Sequence, residues 1–269
     1  MELKRTAVYE PKDIEAWFHQ YRDVIIEHAV MPTDIYNFDE LGFRVGMGKD
    51  QWIITREPYR KAYLSTDTNR ELVTMMETIS GDGVDLPPMI ILAGAQFLHQ
   101  WFKNSALPNH YLLGLSETGY SNDELAFDWL KHFNVYSSRR QLGAYRLLIF
   151  NSHGSHLTKE FIKYCDNQKI IPFTLPPHTS HLLQPLNVVI FQPYKHHHSE
   201  AVKQATRTGC TNFNKVKFLH AIESIRRQTF KLSTIKSAFR QAGLVPYNPQ
   251  IVLNSIREAR PTTPPSTTL

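Results

Sequence analysis

Two H-x-x-H pairs, His153/His156 and His178/His181, and the run His196-His197-His198 are the clearest groups of potential metal ligands in the sequence. Imidazoles at such spacing suit zinc by ligand type. They equally serve turns, where they hydrogen-bond backbone or meet phosphate, and spacing alone leaves both readings open. The three consecutive histidines follow Lys195 and read as a solvated helix face. Further along, Arg226, Arg227, Lys231, Lys236 and Arg240 form a basic group able to line a phosphate-facing surface. A surface of that kind binds DNA without reading its sequence and weakens as salt rises. Phe218, Leu219, Ile222, Ile225, Ile235 and Phe239 also fit a helix-turn-helix reader. Packing onto a sheet is the favoured reading, because helical apolar spacing accounts for every bulky residue there.

The cysteines, Cys165 and Cys210, lie far apart and outside any metal-ligand spacing, so neither a thiolate zinc site nor a disulfide framework is indicated. A reducing compartment is expected. The chain has 269 residues and is 42% hydrophobic, enough to fill one core. No apolar run approaches the roughly 20 residues of a bilayer span, and Met1 to Glu10 is charged rather than signal-like, so a soluble protein with no membrane partner is expected. The net charge of +5 conceals an asymmetry. Residues 1–134 hold 12 Lys/Arg against 20 Asp/Glu, and residues 135–269 hold 18 against 5. An acidic half able to collect cations joins a basic half able to face phosphates.

The elements that must position these residues follow from periodicity. Ile14, Trp17, Phe18, Tyr21, Val24 and Ile25 recur at three- and four-residue spacing, which predicts an amphipathic helix over 10–28. Residues 35–39 alternate as a strand, and strand-like runs follow at 51–55, 72–80 and 88–93. Gly81-Asp82-Gly83 is a hairpin turn between the last two, so the first half reads as an antiparallel meander. Ser121-Asn122-Asp123-Glu124 starts a crossover helix to Phe133. Residues 145–150, apolar but for Arg146, read as a strand buried on both faces. A helix over 157–167 and a strand over 170–175 complete a parallel pair with a right-handed crossover. Beyond Pro185 the pattern is helical, over 186–205, 214–229 and 233–241, with a stop at Gly243 and Pro246. The Pro/Thr-rich end has nothing to pack.

Three blocks carry a resemblance. Tyr36-Asn37-Phe38-Asp39-Glu40-Leu41-Gly42-Phe43, Arg146-Leu147-Leu148-Ile149-Phe150-Asn151-Ser152-His153-Gly154-Ser155-His156 and Leu175-Pro176-Pro177-His178-Thr179-Ser180-His181-Leu182-Leu183-Gln184-Pro185-Leu186-Asn187 stand in this order. Together they resemble the signature blocks of the DDE superfamily endonucleases in the mariner/pogo branch, as in fungal-type pogo elements. The resemblance covers roughly residues 8–256. It implies an α/β, RNase-H-like mixed sheet of three antiparallel strands plus parallel strands, flanked by helices, with a helical C-terminal part. The boundaries it implies are an N-terminal helix in 1–30, the DDE core in 31–205, a helical extension packed on the core in 206–256, and a disordered tail in 257–269.

In that family each block supplies one Asp to a pair of Mg²⁺ or Mn²⁺ ions. These hold the attacking and leaving oxygens while water, then a DNA 3′ hydroxyl, attacks a phosphodiester. The matching positions here are Asp39, Asn151 and Asn187, and the 35 residues between the last two suit pogo-like spacing. Two of the three carboxylates are therefore amides, leaving Asp39 as a weak metal ligand. A unit charge pair at about 4 Å is worth about 4 kcal/mol at an effective dielectric near 20, so a second ion should bind poorly. With each ~1.4 kcal/mol a factor of ten, about four orders of magnitude in rate should go. Glu40 points away from Asp39 along a strand, and Glu160 and Asp166 lie too far into the following helix to substitute. Ser152, Leu41 and Val189 also depart from the family pattern.

The resemblance accounts for both H-x-x-H pairs as turn and loop residues without zinc. It implies DNA as partner, a nuclear location and an oligomer like those of transposases. Helix-turn-helix domains precede such cores, and residues 1–10 lead directly into the first helix, so recognition of specific transposon ends is not expected. The reading is a transposase-derived nucleic-acid-binding domain without catalysis. Its alternatives are an adopted DNA-binding or interaction scaffold and a residual metal-dependent nuclease.

Overall fold

The computed structural model describes residues 10–46, 71–103, 107–151, 158–210 and 212–259. The expected strand at 51–55 lies outside them, as do His153 and His156. A six-stranded sheet forms the centre: β1 (Ile35–Arg44), β2 (Leu72–Ser80), β3 (Met89–Ala93), β4 (Leu112–Ser116), β5 (Arg146–Asn151) and β6 (Ile170–Leu175). Their order is β4-β3-β2-β1-β5-β6. β1, β2 and β3 pair antiparallel, whereas β5 runs parallel to β1 and β6 parallel to β5. Three antiparallel strands continued by parallel ones, with helices on both faces, is the RNase-H-like arrangement.

One expectation needs correction. The first half is not a pure antiparallel meander, because β4 pairs parallel with β3 at the sheet edge. Its short run Leu112–Ser116 contains Gly114, which weakens any strand signal. The packing around it is close: a Cβ there would stand 2.6 Å from the Met89 Cε and 2.9 Å from the Leu125 Cδ2, so those side-chain ends would have to shift.

Alternation along β1 sends Tyr36 and Phe38 to one face of the sheet and Ile35, Asn37, Asp39, Leu41 and Phe43 to the other. On the Tyr36 face lie α3 (Asp123–Ser138) and α4 (Lys159–Asn167), whose Trp129, Leu130, Phe133, Phe161 and Cys165 pack with Met76, Ile91 and Leu148. Each helix starts where the sequence dictates: Asn122 accepts from the Leu125 N–H and Thr158 from the Phe161 N–H.

The opposite face carries the larger core. There α1 (Pro11–Glu27), α6 (Phe191–Arg207), α7 (Lys215–Thr229), α8 (Leu232–Gln241) and α9 (Gln250–Ala259) bury Ile14, Phe18, Tyr194, Phe218, Ile235 and Val252 against β1, β2 and β5. The Trp17 indole donates to the Thr174 carbonyl at 2.8 Å and fastens α1 to β6. Helix α9 falls largely within the helical extension expected over 206–256, although no periodic pattern singled it out. It opens directly after Pro249 and buries Val252, Leu253 and Ile256, so Arg257 to Ala259 are helical rather than tail. Proline beside a helix start is compatible with a new helix, and the expected stop at Gly243 and Pro246 ends α8 rather than the helical part. Short helices α2 (His99–Phe102) and α5 (Ser180–Leu183) complete the set. No helix among the described residues is long and apolar enough to cross a membrane.

Candidate functional site

The site lies where β1 and β5 part. Their parallel pairing is recorded from Ile35↔Leu147 to Asn37↔Ile149, and Asp39 and Asn151 each lie two residues beyond that last pair. They therefore occupy equivalent positions just beyond the parallel pairing, Asn151 at the end of β5 and Asp39 midway along β1, which runs on to Arg44 beside β2. Asn151 closes β5, paired with Leu175 of β6.

The third position arrives from the far side of the chain. After α5, Pro185 leads into a π turn over Leu186–Ile190 that continues as α6. Wide turns of this kind leave the regular helical hydrogen-bond pattern and recur at functional sites. The amide of Leu186 donates to the Asn37 side-chain oxygen at 2.9 Å, and the Asn37 side chain donates to the Ile149 carbonyl at 3.0 Å. Gln184 Nε2 donates to the Phe38 carbonyl at 3.1 Å. Asn187 Nδ2 donates to Asp39 Oδ2 at 2.7 Å and to Gln184 Oε1 at 2.8 Å. Three consecutive residues of β1 thus hold the segment 184–187.

Asn37 and Gln184 are fully buried. Sequence reasoning assigned neither a role. The signal was an amide inside the apolar runs Tyr36-Asn37-Phe38 and Leu182-Leu183-Gln184, since a buried polar group must find partners.

Burial pushes the Asp39 carboxyl up to about 7; the neighbouring Glu40 charge adds to this, and hydrogen bonds from the Glu40 backbone, Gln184 and Asn187 pull the other way. Glu40 is on the opposite face, as expected, where Ser121 Oγ donates to it at 2.6 Å. Glu160 and Asp166 are exposed on α4.

A pair of divalent cations does not fit this donor set. Hard cations take anionic oxygen, and here one carboxylate faces an N–H donor at the third position while the second position is an amide. Among the described residues no group of three or more His, Cys, Asp or Glu stands close enough to hold a metal.

His178 and His181 are exposed on the loop and short helix that precede the π turn, and His178 adopts a positive φ of 63°. The triple histidine is not a solvated face. His196 is exposed, His197 half-buried, and His198 is buried with its ring beside Phe43, Phe213 and Phe218. Arg226 must also be removed from the phosphate-facing group. It is 5% exposed, donates to both Glu77 carboxylate oxygens at 2.9–3.2 Å, and pairs with Asp85 at 3.0 Å. Arg227, Lys231, Lys236 and Arg240 remain exposed, Arg227 in a salt bridge to Glu223.

Comparison with known proteins sets this geometry in a family. The DDE superfamily endonuclease family matches residues 69–239. A protein of Cochliobolus lunatus named MFS-type transporter clz9 is 32% identical over 231 residues, which cover 86% of this chain and 25% of that protein. The human pogo transposable element with ZNF domain is 28% identical over 134 residues, 48% of this chain and 9% of that one. This chain thus spans a quarter or less of these relatives. Among solved structures, the mariner Mos1 paired end complex with Mg has a TM-score of 0.47 at 12% identity, covering 92% of this chain and 67% of that one. The catalytic domain of Mos1 mariner transposase gives 0.36 at 11% identity, covering 91% and 97%. With the family match spanning well over half of its length, this chain belongs to the DDE superfamily endonucleases.

Proposed function

We propose that this chain is a DDE core that has given up two-metal phosphoryl transfer and keeps DNA as its partner, held by the phosphate backbone without sequence readout. The observation that carries the reading is the contact between Asn187 Nδ2 and Asp39 Oδ2, in which an N–H donor faces the one retained carboxylate at 2.7 Å. A paired-cation site, where it exists, polarises the phosphodiester and stabilises both the attacking and leaving oxygens. Here Asp39 alone supplies anionic oxygen, and Asn151 and Asn187 supply none.

Charge supports the second half of the reading. Residues 191–241 contain ten Lys/Arg and two Asp/Glu. Lys215 and Arg226 are spent inward on Glu71 and Glu77. Lys195, Arg207, Lys231, Lys236 and Arg240 are exposed on α6, α8 and the segment before α8, and the two acids are met by Lys203 and Arg227. A layer of such balance attracts polyanions through counterion release. A nuclear location follows from that partner.

The experiment is a supercoiled-plasmid nicking assay with Mg²⁺ or Mn²⁺, run beside Asp39→Ala, with binding of labelled DNA followed in parallel. Binding without nicking above the Asp39→Ala background supports the proposal; nicking that depends on Asp39 rules it out.

A further inference from the structure

We infer that Asn187 is an uncharged cross-link that lets the π turn close on β1 with no cation between them. The inference deepens the reading of a metal-free site.

Besides the backbone bond from Asn187 N–H to the Gln184 carbonyl, four hydrogen bonds that involve side chains join β1 to the segment 184–187 or tie that segment to itself. Two of them need only backbone groups and the buried amides of Asn37 and Gln184: Leu186 N–H to Asn37, and Gln184 Nε2 to the Phe38 carbonyl. The other two originate on one atom, Asn187 Nδ2, which donates to Asp39 Oδ2 at 2.7 Å and Gln184 Oε1 at 2.8 Å. Both recipients are acceptors, and only a donor at 187 satisfies them together. Asn187 thus bridges the side chains of Asp39 and Gln184, while Gln184 itself is anchored on the Phe38 carbonyl.

An aspartate at 187 would bring two more acceptor oxygens to a place that already holds two acceptors. Like charges at hydrogen-bond distance do not both ionise freely, so the turn would have to open, take up a proton or trap a cation. Asparagine removes that demand. Its amide meets the carboxylate as a donor, a charge-assisted bond of the stronger kind, and the cleft keeps its shape in the absence of metal.

The test is thermal unfolding of the whole chain as wild type, Asn187→Ala and Asn187→Asp, each with EDTA and with millimolar Mn²⁺. The inference expects a wild type whose Tm is the same in both solutions and an Asn187→Ala variant lower by roughly 3 °C or more in both. It expects Asn187→Asp to melt below wild type in EDTA and to recover with Mn²⁺. Residue 187 is exposed, so neither variant opens the core. A wild type unmoved by Mn²⁺ together with Asn187→Ala and Asn187→Asp proteins that melt like it in EDTA would defeat the cross-link and leave the metal-free site standing. A wild type raised by Mn²⁺ as far as Asn187→Asp would overturn both.

Discussion

Glu77 stands directly across the sheet from Asp39, at the paired position of β2, and Arg226 of α7 holds its carboxylate with both Nε and Nη2. The acid paired with Asp39 across β1 and β2 is therefore committed. The Tyr194 hydroxyl, on α6, donates a further bond at 2.9 Å. Burial raises the Glu77 carboxyl, and the Arg226 charge pulls it back toward ionisation. A carboxylate so enclosed is not available beside Asp39, Asn151 and Asn187, and it ties α6 and α7 to β2.

Breaking this pair should cost more than any surface change. Arg226→Met leaves Glu77 buried without its counter-charge, for which about 3–5 kcal/mol is the usual cost. Urea unfolding is expected to show a loss of that order, and Arg227→Met, at an exposed pair, a loss below about 1 kcal/mol. Equal, small losses for both would contradict the buried-pair description.

Acid should weaken the protein through His198. Burial among Phe43, Phe213 and Phe218 lowers its pKa from 6.5 to about 4, while a hydrogen bond with the Val45 backbone opposes the shift. The unfolded chain binds the proton more tightly than the folded one. This contribution is therefore present above pH 6.5 and lost as pH falls toward 4, on the order of 3 kcal/mol in all. His198→Phe should flatten that part of the profile, as measured by urea unfolding at pH 7 and pH 4.5. A variant with the wild-type acid slope would place the titration elsewhere.

DNA affinity should follow the exposed cations and ignore the buried one. Replacing Lys231, Lys236 and Arg240 together by Ala is expected to reduce the salt slope of binding by about three, since each phosphate contact contributes about 0.9. Fluorescence anisotropy at several salt concentrations reads this directly, and the loss should be alike for unrelated sequences. An unchanged slope, or a loss confined to one sequence, would move the DNA surface away from α8.

The strands of the centre were legible because burial on both faces leaves uninterrupted apolar runs, as in Leu147-Leu148-Ile149-Phe150. That residues 39 and 187 meet was legible because the blocks that carry them kept their order and spacing. What escaped was what side-chain direction decides. Arg226 lies at helical spacing from Ile222 and Thr229, both buried, so its place on the apolar stripe was readable, yet its charge suggested solvent. His198 was read with its neighbours as one polar run, although Tyr194 and Val202, four residues to either side, line the buried face of α6. The hold of β1 on 184–187 depends on long-range hydrogen bonds between amides, which carry no periodic signature. β4, at the sheet edge with a glycine at its centre, shows none either.

Restoring Asp at 151 and 187 together should return the anionic oxygen that divalent ions require. The double variant is expected to be less stable than wild type in EDTA and to gain stability with Mn²⁺, because each added carboxylate is unfavourable until a cation meets it. A thermal shift that does not depend on Mn²⁺ would mean that these positions do not converge on one ion site.

The most direct measurement is calorimetric titration of Mg²⁺ and of Mn²⁺ into the unmodified chain, beside the Asn151→Asp/Asn187→Asp variant. No saturable heat for a pair of ions in the natural sequence, with saturable binding in the double variant, is the expected result. Tight binding of two ions by the unmodified chain, abolished by Asp39→Ala, would contradict it.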